Sequence, residues 1–317
     1  MMTPRQESAW RGLLEVSALL PAHTWCVVGG QMVFLYCLER GVSPGRPTDD
    51  GDVVLDVRAR PNILHEFTSA LLTVGFSSAG VSPEGHQHRW VKDEAKIDVL
   101  VPRGLGERAL ARKGATGGTT LGAPGAQQAI DRSQPVLAEV AGLQGEVWRP
   151  SMLGALVMKA AAYTTPEPNH DRHLTDFATL ASMLTRTDHI DEGLTRSDRK
   201  YLSLAVAALD EKRPLWVMIE GAERGIDVVR RVTSQQLEHG RAIAVEHQSP
   251  QAPIEPEHGP GLELRPKSVS KPGPTLPGSF GGSKGGPAAR LDGTGHRRGR
   301  AEPSGVGFGA WNCWLGG

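Results

Sequence analysis

The chain has no long apolar run: no segment approaches the roughly 18 residues a membrane-spanning helix needs, so no membrane partner is expected. It has no excess charge of either sign, with 35 basic against 35 acidic side chains and a formal net charge of zero. Bulk charge therefore points to neither nucleic acid nor an acidic membrane, and any such contact must come from a local patch. Cysteine is scarce, and Cys26, Cys37 and Cys313 are too scattered for a disulfide framework or a zinc site. Cys26 and Cys37 lie in apolar segments, as buried thiols do, which fits a reducing cytoplasm. The opening residues, Met1 to Glu7, lack the basic-then-apolar order of a secretory signal. Internal repeats, a Gly-x-Ser-x-Gly elbow and a Gly-Lys-Ser/Thr phosphate loop are also missing. At 317 residues the chain can hold one or two domains with ample core, and it reads as a soluble intracellular protein.

Helical and strand patterns alternate along the first half. Apolar residues at helical spacing (Trp10, Leu13, Leu14, Val16) predict a helix over 7–20, stopped by Pro21. Trp25-Cys26-Val27-Val28 reads as a short buried strand running into Gly29-Gly30 and a helix over 31–40. After the Pro/Gly loop 41–47 the pattern predicts a strand over 51–57, a helix over 61–74 and an antiparallel strand pair near 86–92 and 96–102. Residues 103–134 are glycine-rich, and 114–125 read as a mobile loop; short strands at 136–140 and 146–148 follow. From Pro150 onward the strands stop, and helices are predicted at 151–163, 173–185, 197–210 and 214–239. Beyond these, Gly and Pro dominate and periodicity is lost. The expected organisation is an α/β (α+β) mixed-sheet domain over 1–148, a helical domain over 149–245 and a disordered tail over 246–317, where only Trp311 and Trp314 could anchor on anything.

Carboxylates supply the chemistry. Asp50 and Asp52 stand at i and i+2, so in a strand both project from one face, about 7 Å apart. Parity supports this, because Val53, Leu55 and Val57 share the opposite face, and Ile97, Val99 and Val101 likewise oppose Asp98. A third carboxylate on a neighbouring strand would close an all-oxygen pocket suited to Mg²⁺, and crowded carboxylates with two metal ions are the usual device for moving phosphoryl or nucleotidyl groups. Gly29-Gly30 at a strand-to-helix junction would let a ligand approach the backbone, with free N–H groups and the helix dipole aimed at an anion. Taken singly, each feature also has a structural reading: Asp-Gly is a turn dipeptide, Asp98 could face solvent, and paired glycines often serve geometry alone. Asp56 shares the face of Asp50 and Asp52 but lies roughly 13 Å beyond Asp52, outside a common site.

The order Gly29-Gly30, Arg46-x-Thr48-x-Asp50-x-Asp52, then Ile97-Asp98-Val99 resembles the DNA polymerase beta-like nucleotidyltransferase superfamily. Within it, the chain is most similar to the AbiEii/AbiGii-type branch of toxin–antitoxin and phage-defence systems, with Lys159 and Asp176 matching that family's lysine and acidic residue on successive helices. The resemblance is densest over residues 25–102 and continues to the helices at 151–185. It implies a Mg²⁺-dependent enzyme, with two ions, that moves a nucleoside monophosphate from a nucleoside triphosphate to an acceptor hydroxyl on tRNA or protein. A cognate antitoxin is the implied partner. In that reading Gly29 and Gly30 present N–H groups to the triphosphate, Asp50 and Asp52 hold the metals, and Asp98 completes the site and helps deprotonate the acceptor. Lys159 reaches the phosphates, Asp176 positions it or the acceptor, and Arg46 and Thr48 brace the loop entering the strand. Three departures from the family pattern stand out: Gln31 follows the glycines where serine is common, the interval to Asp50 is long, and Gly51 replaces an apolar residue. They leave two alternatives open, a degenerate nucleotide-binding protein acting in a complex and a small-molecule, aminoglycoside-type nucleotidyltransferase.

Other candidates have plainer readings. His86-x-His88 could hold a metal but fits an exposed alternating strand; His170 and His173 fit helix-start polarity; Arg224, Arg230 and Arg231 fit a solvated helix face.

Overall fold

A threonine starts the first helix. In the computed structural model, which describes residues 2–83, 85–166 and 169–246 (side chains through Ser234), α1 (Pro4–Ser17) begins behind Thr3, whose hydroxyl accepts from the Gln6 amide at 3.1 Å. Pro4 takes the first turn, where a missing N–H costs nothing. The tail expected to be disordered, with Trp311 and Trp314, lies outside the described residues.

Strand β1 (Trp25–Val28) runs directly into α2 (Gly29–Arg40), which Gly41 ends in the left-handed conformation at φ +65°. Strand β2 (Gly51–Leu55) stops two residues short of its expected end because the Asp56 carboxylate accepts from the amides of Arg58 and Ala59, closing a turn. After α3 (Ile63–Thr73) come the short β3 (Ser77–Ser78), then β4 (Arg89–Lys92) and β5 (Ala95–Pro102), the antiparallel pair the pattern predicts.

The glycine-rich stretch differs from its expected mobile loop. It contains a one-turn α4 (Glu107–Leu110), a strand β6 (Leu121–Ala123) parallel to the end of β5, and α5 (Ala126–Asp131). Distant side chains hold the glycines in place: Gly118 N–H donates to Gln87 Oε1 at 2.9 Å, and Ala115 N–H to Thr68 Oγ1 at 2.8 Å. Long-range bonds of this kind cannot be read from glycine content. Next, β7 (Ser133–Val140) and β8 (Leu143–Pro150) form a separate hairpin across Ala141-Gly142, both at positive φ as a two-residue turn demands. Four helices complete the described chain: α6 (Met152–Tyr163), α7 (Asp171–Ser182), α8 (Arg196–Glu211) and α9 (Ala222–Glu246).

The main sheet has the order β1-β2-β5-β4-β3, antiparallel except for the β2–β5 pair and the β6 extension. One face carries Val27, Val53, Leu55, Ile97 and Val99 against α1 and α3; the other carries Cys26, Val28, Val54 and Leu100 against α5 and α6. A third cluster joins α2 to the layer formed by α6–α9. The fold is thus a mixed α/β sheet flanked by helices and followed by a helical layer, and all described residues fall in one compact unit. Among the described residues, no helix is long and apolar enough to cross a membrane.

Candidate functional site

Strand register builds the site. Val28 pairs with Asp52, Asp52 with Asp98, and Asp98 with Arg89, so these four residues form one row across β1, β2, β5 and β4. Paired residues point to the same side of a sheet. The row beneath is apolar (Cys26, Val54, Leu100, Leu121), which places the acidic row on the α5/α6 face, one step toward the start of β2. Asp50 immediately precedes β2 and reaches the same face. Burial is close to complete: Asp50 is 3% exposed, Asp52 0% and Asp98 1%.

Two ionic groups share this face. In the first, Arg89 forks onto Asp98, with Nε donating to Oδ1 at 2.9 Å and Nη2 to Oδ2 at 2.8 Å. The same Nη2 lies 3.4 Å from Asp50 Oδ2, and Lys96 Nζ lies 3.8 Å from Asp50 Oδ1. Burial raises the Asp50 pKa above the ordinary carboxylate value, against the pull of Arg89 and Lys96 and with the help of Asp98 and Asp49. In the second group, Asp176 on α7 accepts from Arg46 Nε and Nη2, both at 2.9 Å, and from Lys159 Nζ on α6 at 2.7 Å. Burial lowers the Lys159 pKa; Asp176 acts against that, and so does Asp52. Asp52 likewise raises the pKa of Arg46. Asp52 therefore joins the groups, beside Asp98 by register and within electrostatic reach of both basic side chains.

The glycines are explained by close packing. A Cβ on Gly29, at φ +62°, would fall 1.7 Å from Asp52 Oδ2, and one on Gly30 would fall 2.3 Å from Thr48 Oγ1. Only glycine lets β2 and its entry loop press against the start of α2. Gly29→Ala should lose about 2 kcal/mol or more of stability through backbone strain plus overlap, read from the urea midpoint; an unchanged midpoint would refute that packing argument.

Gln31, the departure at the head of α2, is a buried tie-point. Its Oε1 accepts from Trp10 Nε1 at 2.7 Å and Gln6 Nε2 at 3.1 Å, while its Nε2 donates to the carbonyls of Thr48 at 3.1 Å and Asp50 at 3.2 Å. Thr3 adds a bond from its hydroxyl to Asp49 Oδ1 at 2.6 Å. Helix α1 thus fixes the loop that delivers Asp50. Gln31→Leu orphans two carbonyls and an indole N–H, and should cost about 2–4 kcal/mol in urea unfolding; a cost below about 1 kcal/mol would mean the tie is dispensable.

Every residue expected at the site lies in these two groups or against them: Asp50, Asp52, Asp98, Lys159, Asp176, Arg46, Thr48, Gly29 and Gly30. Asp56 lies apart in its turn. Arg89 and Lys96 were missed. Their signal was present, because a two-residue turn at Asp93-Glu94 sets Lys92 opposite Ala95 and hence Arg89 opposite Asp98.

The donor set, carboxylate oxygens alone, suits a hard divalent cation. Its spacing, however, is that of an arginine-bridged pair, and among the described residues no three His, Cys, Asp or Glu side chains gather as a metal group. Elsewhere the plain readings hold in part. Arg230 pairs with Asp227 and Asp210, and His170 lies 3.4 Å from Asp171 at the head of α7. His86, whose Nδ1 bonds Thr119 Oγ1 at 3.0 Å, and His88 are half-buried ahead of β4 and not on an exposed strand face, and His173 is buried. Cys26 and Cys37 are buried free thiols.

No protein-family model matches the chain, and no curated protein matches it. Among solved structures, it is similar to an antigenic nucleotidyltransferase-like protein from Paracoccidioides brasiliensis, with 15% identity, a TM-score of 0.42, and coverage of 71% of this chain and 94% of that chain.

Proposed function

We propose that the chain is a nucleotidyltransferase that moves a nucleoside monophosphate from a nucleoside triphosphate to an acceptor hydroxyl. The observation that carries this reading is the gathering of Asp50, Asp52 and Asp98 on one buried face, opposite a Lys159–Asp176–Arg46 cluster and beside the start of α2. Two cations on one carboxylate leave a positive pole, and the first N–H groups of α2 add to it, so both favour a polyphosphate. In the reaction, the acceptor oxygen bonds to the α-phosphorus, the bond to the bridging oxygen breaks, and pyrophosphate leaves. Asp98 takes the acceptor's proton. Lys159 and Arg46, aligned by Asp176, offset charge on the departing phosphates. Mg²⁺, when bound by Asp50, Asp52 and Asp98, would supply further neutralisation and in-line alignment. The cleft would lie between a sheet domain over 1–148 and a helical domain over 149–245. By the family resemblance, the acceptor is a tRNA or protein hydroxyl in a reducing cytoplasm, with a small cognate antitoxin as partner.

The test is to incubate the protein with labelled nucleoside triphosphates, Mg²⁺, total tRNA and lysate, and to compare it with Asp52→Asn. Label transfer that the variant loses supports the enzyme. Nucleotide binding without transfer to any acceptor would instead support a binding module. One observation favours that second reading: Arg89 already occupies both oxygens of Asp98.

A further inference from the structure

We infer that the loops leaving the ends of β2 and β5 form a docking surface for the phosphodiester backbone of an RNA. The two strands are parallel neighbours, so the turn after Leu55 and the loop after Pro102 emerge at the same end of the sheet. Residues 56–60 and 103–113 carry Arg58, Arg60, Arg103, Arg108, Arg112 and Lys113 against only two acids, Asp56 and Glu107. In a chain with 35 charges of each sign, that is a marked local excess. Asp56 is turned onto the amides of Arg58 and Ala59. Arg60 pairs with Glu66, but among the described residues Arg58, Arg108, Arg112 and Lys113 have no carboxylate within ion-pair reach.

The surface is built in advance of any ligand. Arg112 donates to the Val57 carbonyl and ties the two segments together. Val57 and Leu105 enter the core against α1 and α3, and beyond the loop Ala115 N–H bonds Thr68 Oγ1 at 2.8 Å. Arg58, Arg108 and Lys113 are exposed and so stand out from an anchored base. Fixed cations displace the counter-ions condensed on a polyphosphate, which is the main drive for backbone binding. Three of the four unpaired cations are arginines, whose planar fork matches phosphate oxygens. Asp52 lies three residues before the end of β2, roughly 10 Å along the strand, so a backbone held there passes close to the acidic row. The choice of RNA rests on the transfer reading above: that reaction needs an acceptor hydroxyl, and RNA carries one on every ribose.

The test is fluorescence anisotropy of a labelled RNA hairpin with the full-length protein, in EDTA, over a series of salt concentrations. The triple variant Arg58→Gln/Arg108→Gln/Lys113→Gln keeps Arg112 and its bond to Val57. It should bind at least tenfold more weakly at about 50 mM salt and flatten the slope of log affinity on log salt by about 2–3. Lys200→Gln/Arg224→Gln/Arg231→Gln removes the same charge from exposed positions on α8 and α9 and should bind as wild type does. If the first variant fails to fold, Arg108→Gln/Lys113→Gln should show about two thirds of its slope change. Equal losses in the two triple variants, or none in either, would overturn the inference. So would displacement of the RNA by DNA duplex or polyglutamate as readily as by unlabelled RNA. Asp52→Asn should bind the hairpin like wild type, so RNA binding without transfer to any acceptor would overturn the transfer reading and leave the docking surface standing. Transfer to an acceptor without RNA binding would do the reverse.

Discussion

Asp52→Asn should lower nucleotide transfer by about 10³-fold or more while leaving a folded chain, as expected when a preorganised group facing developing charge is removed. Asparagine keeps the shape of the side chain, so the contact over Gly29 survives, where a larger group would meet the turn. The negative charge is what disappears. Asp52 is the member of the row that is in register with Asp98 and also acts on Arg46 and Lys159, so its loss uncouples the acidic row from the basic pole. Asp56→Asn is the matched control. It carries the same change four positions beyond Asp52 and should leave transfer within about twofold, because its carboxylate closes the turn at Arg58 and Ala59. If Asp52→Asn retains more than a tenth of wild-type transfer, or if Asp56→Asn falls as far, the acidic row is not where the chemistry occurs.

Much of this arrangement was legible in the sequence for a definite reason: strand parity is a local property. Val53, Leu55 and Val57 on one side, with Asp50 and Asp52 on the other, needed only a period of two, and the core on the α1/α3 face contains those three apolar residues together with Ile97, Val99 and Val101. Long helices with clear periodicity, such as α6 and α8, fell close to their expected limits for the same reason. What remained hidden depends on partners distant in sequence. Pairing of Arg89 with Asp98 follows only once the hairpin register is drawn, and the order of Gly114–Gly125 depends on Thr68 and Gln87. Burial of Lys159 was equally hidden, since a lysine in an alanine-rich helix looks the same whether it faces solvent or a carboxylate. The side chain is 1% exposed and directed at Asp176, so the basic pole is held inside the protein rather than extended from it.

That internal pole makes Asp176→Ala the most destabilising substitution expected in the chain. Removing one partner of a buried ion pair leaves an uncompensated charge and typically costs about 3–5 kcal/mol. Here Asp176 serves two cations, and Lys159 has no route to water from a fully buried position, whereas Arg46, with 17% of its side chain exposed, can turn outward. The double variant Asp176→Ala/Lys159→Met should therefore recover most of the loss, and Lys159→Met alone should cost less than Asp176→Ala, because the forked Arg46 pair survives it. The pH dependence has the same origin. Burial pushes the Asp176 carboxyl upward, but Lys159 and Arg46 outweigh it and hold the pKa at about 2, below the ordinary 3.8. A carboxyl depressed in the folded state takes up its proton first in the unfolded chain. Its stabilisation is thus complete above about pH 4 and lost as pH falls toward 2. Asp50, raised by burial, contributes in the opposite sense, so the comparison is best made in an Asp50→Asn background. In urea titrations across that window, a chain bearing Asp176→Asn should lose the steep acid fall. Persistence of the fall, or an Asp176→Ala midpoint equal to wild type, would mean the Lys159–Asp176–Arg46 cluster is not the buried charge pair its geometry describes.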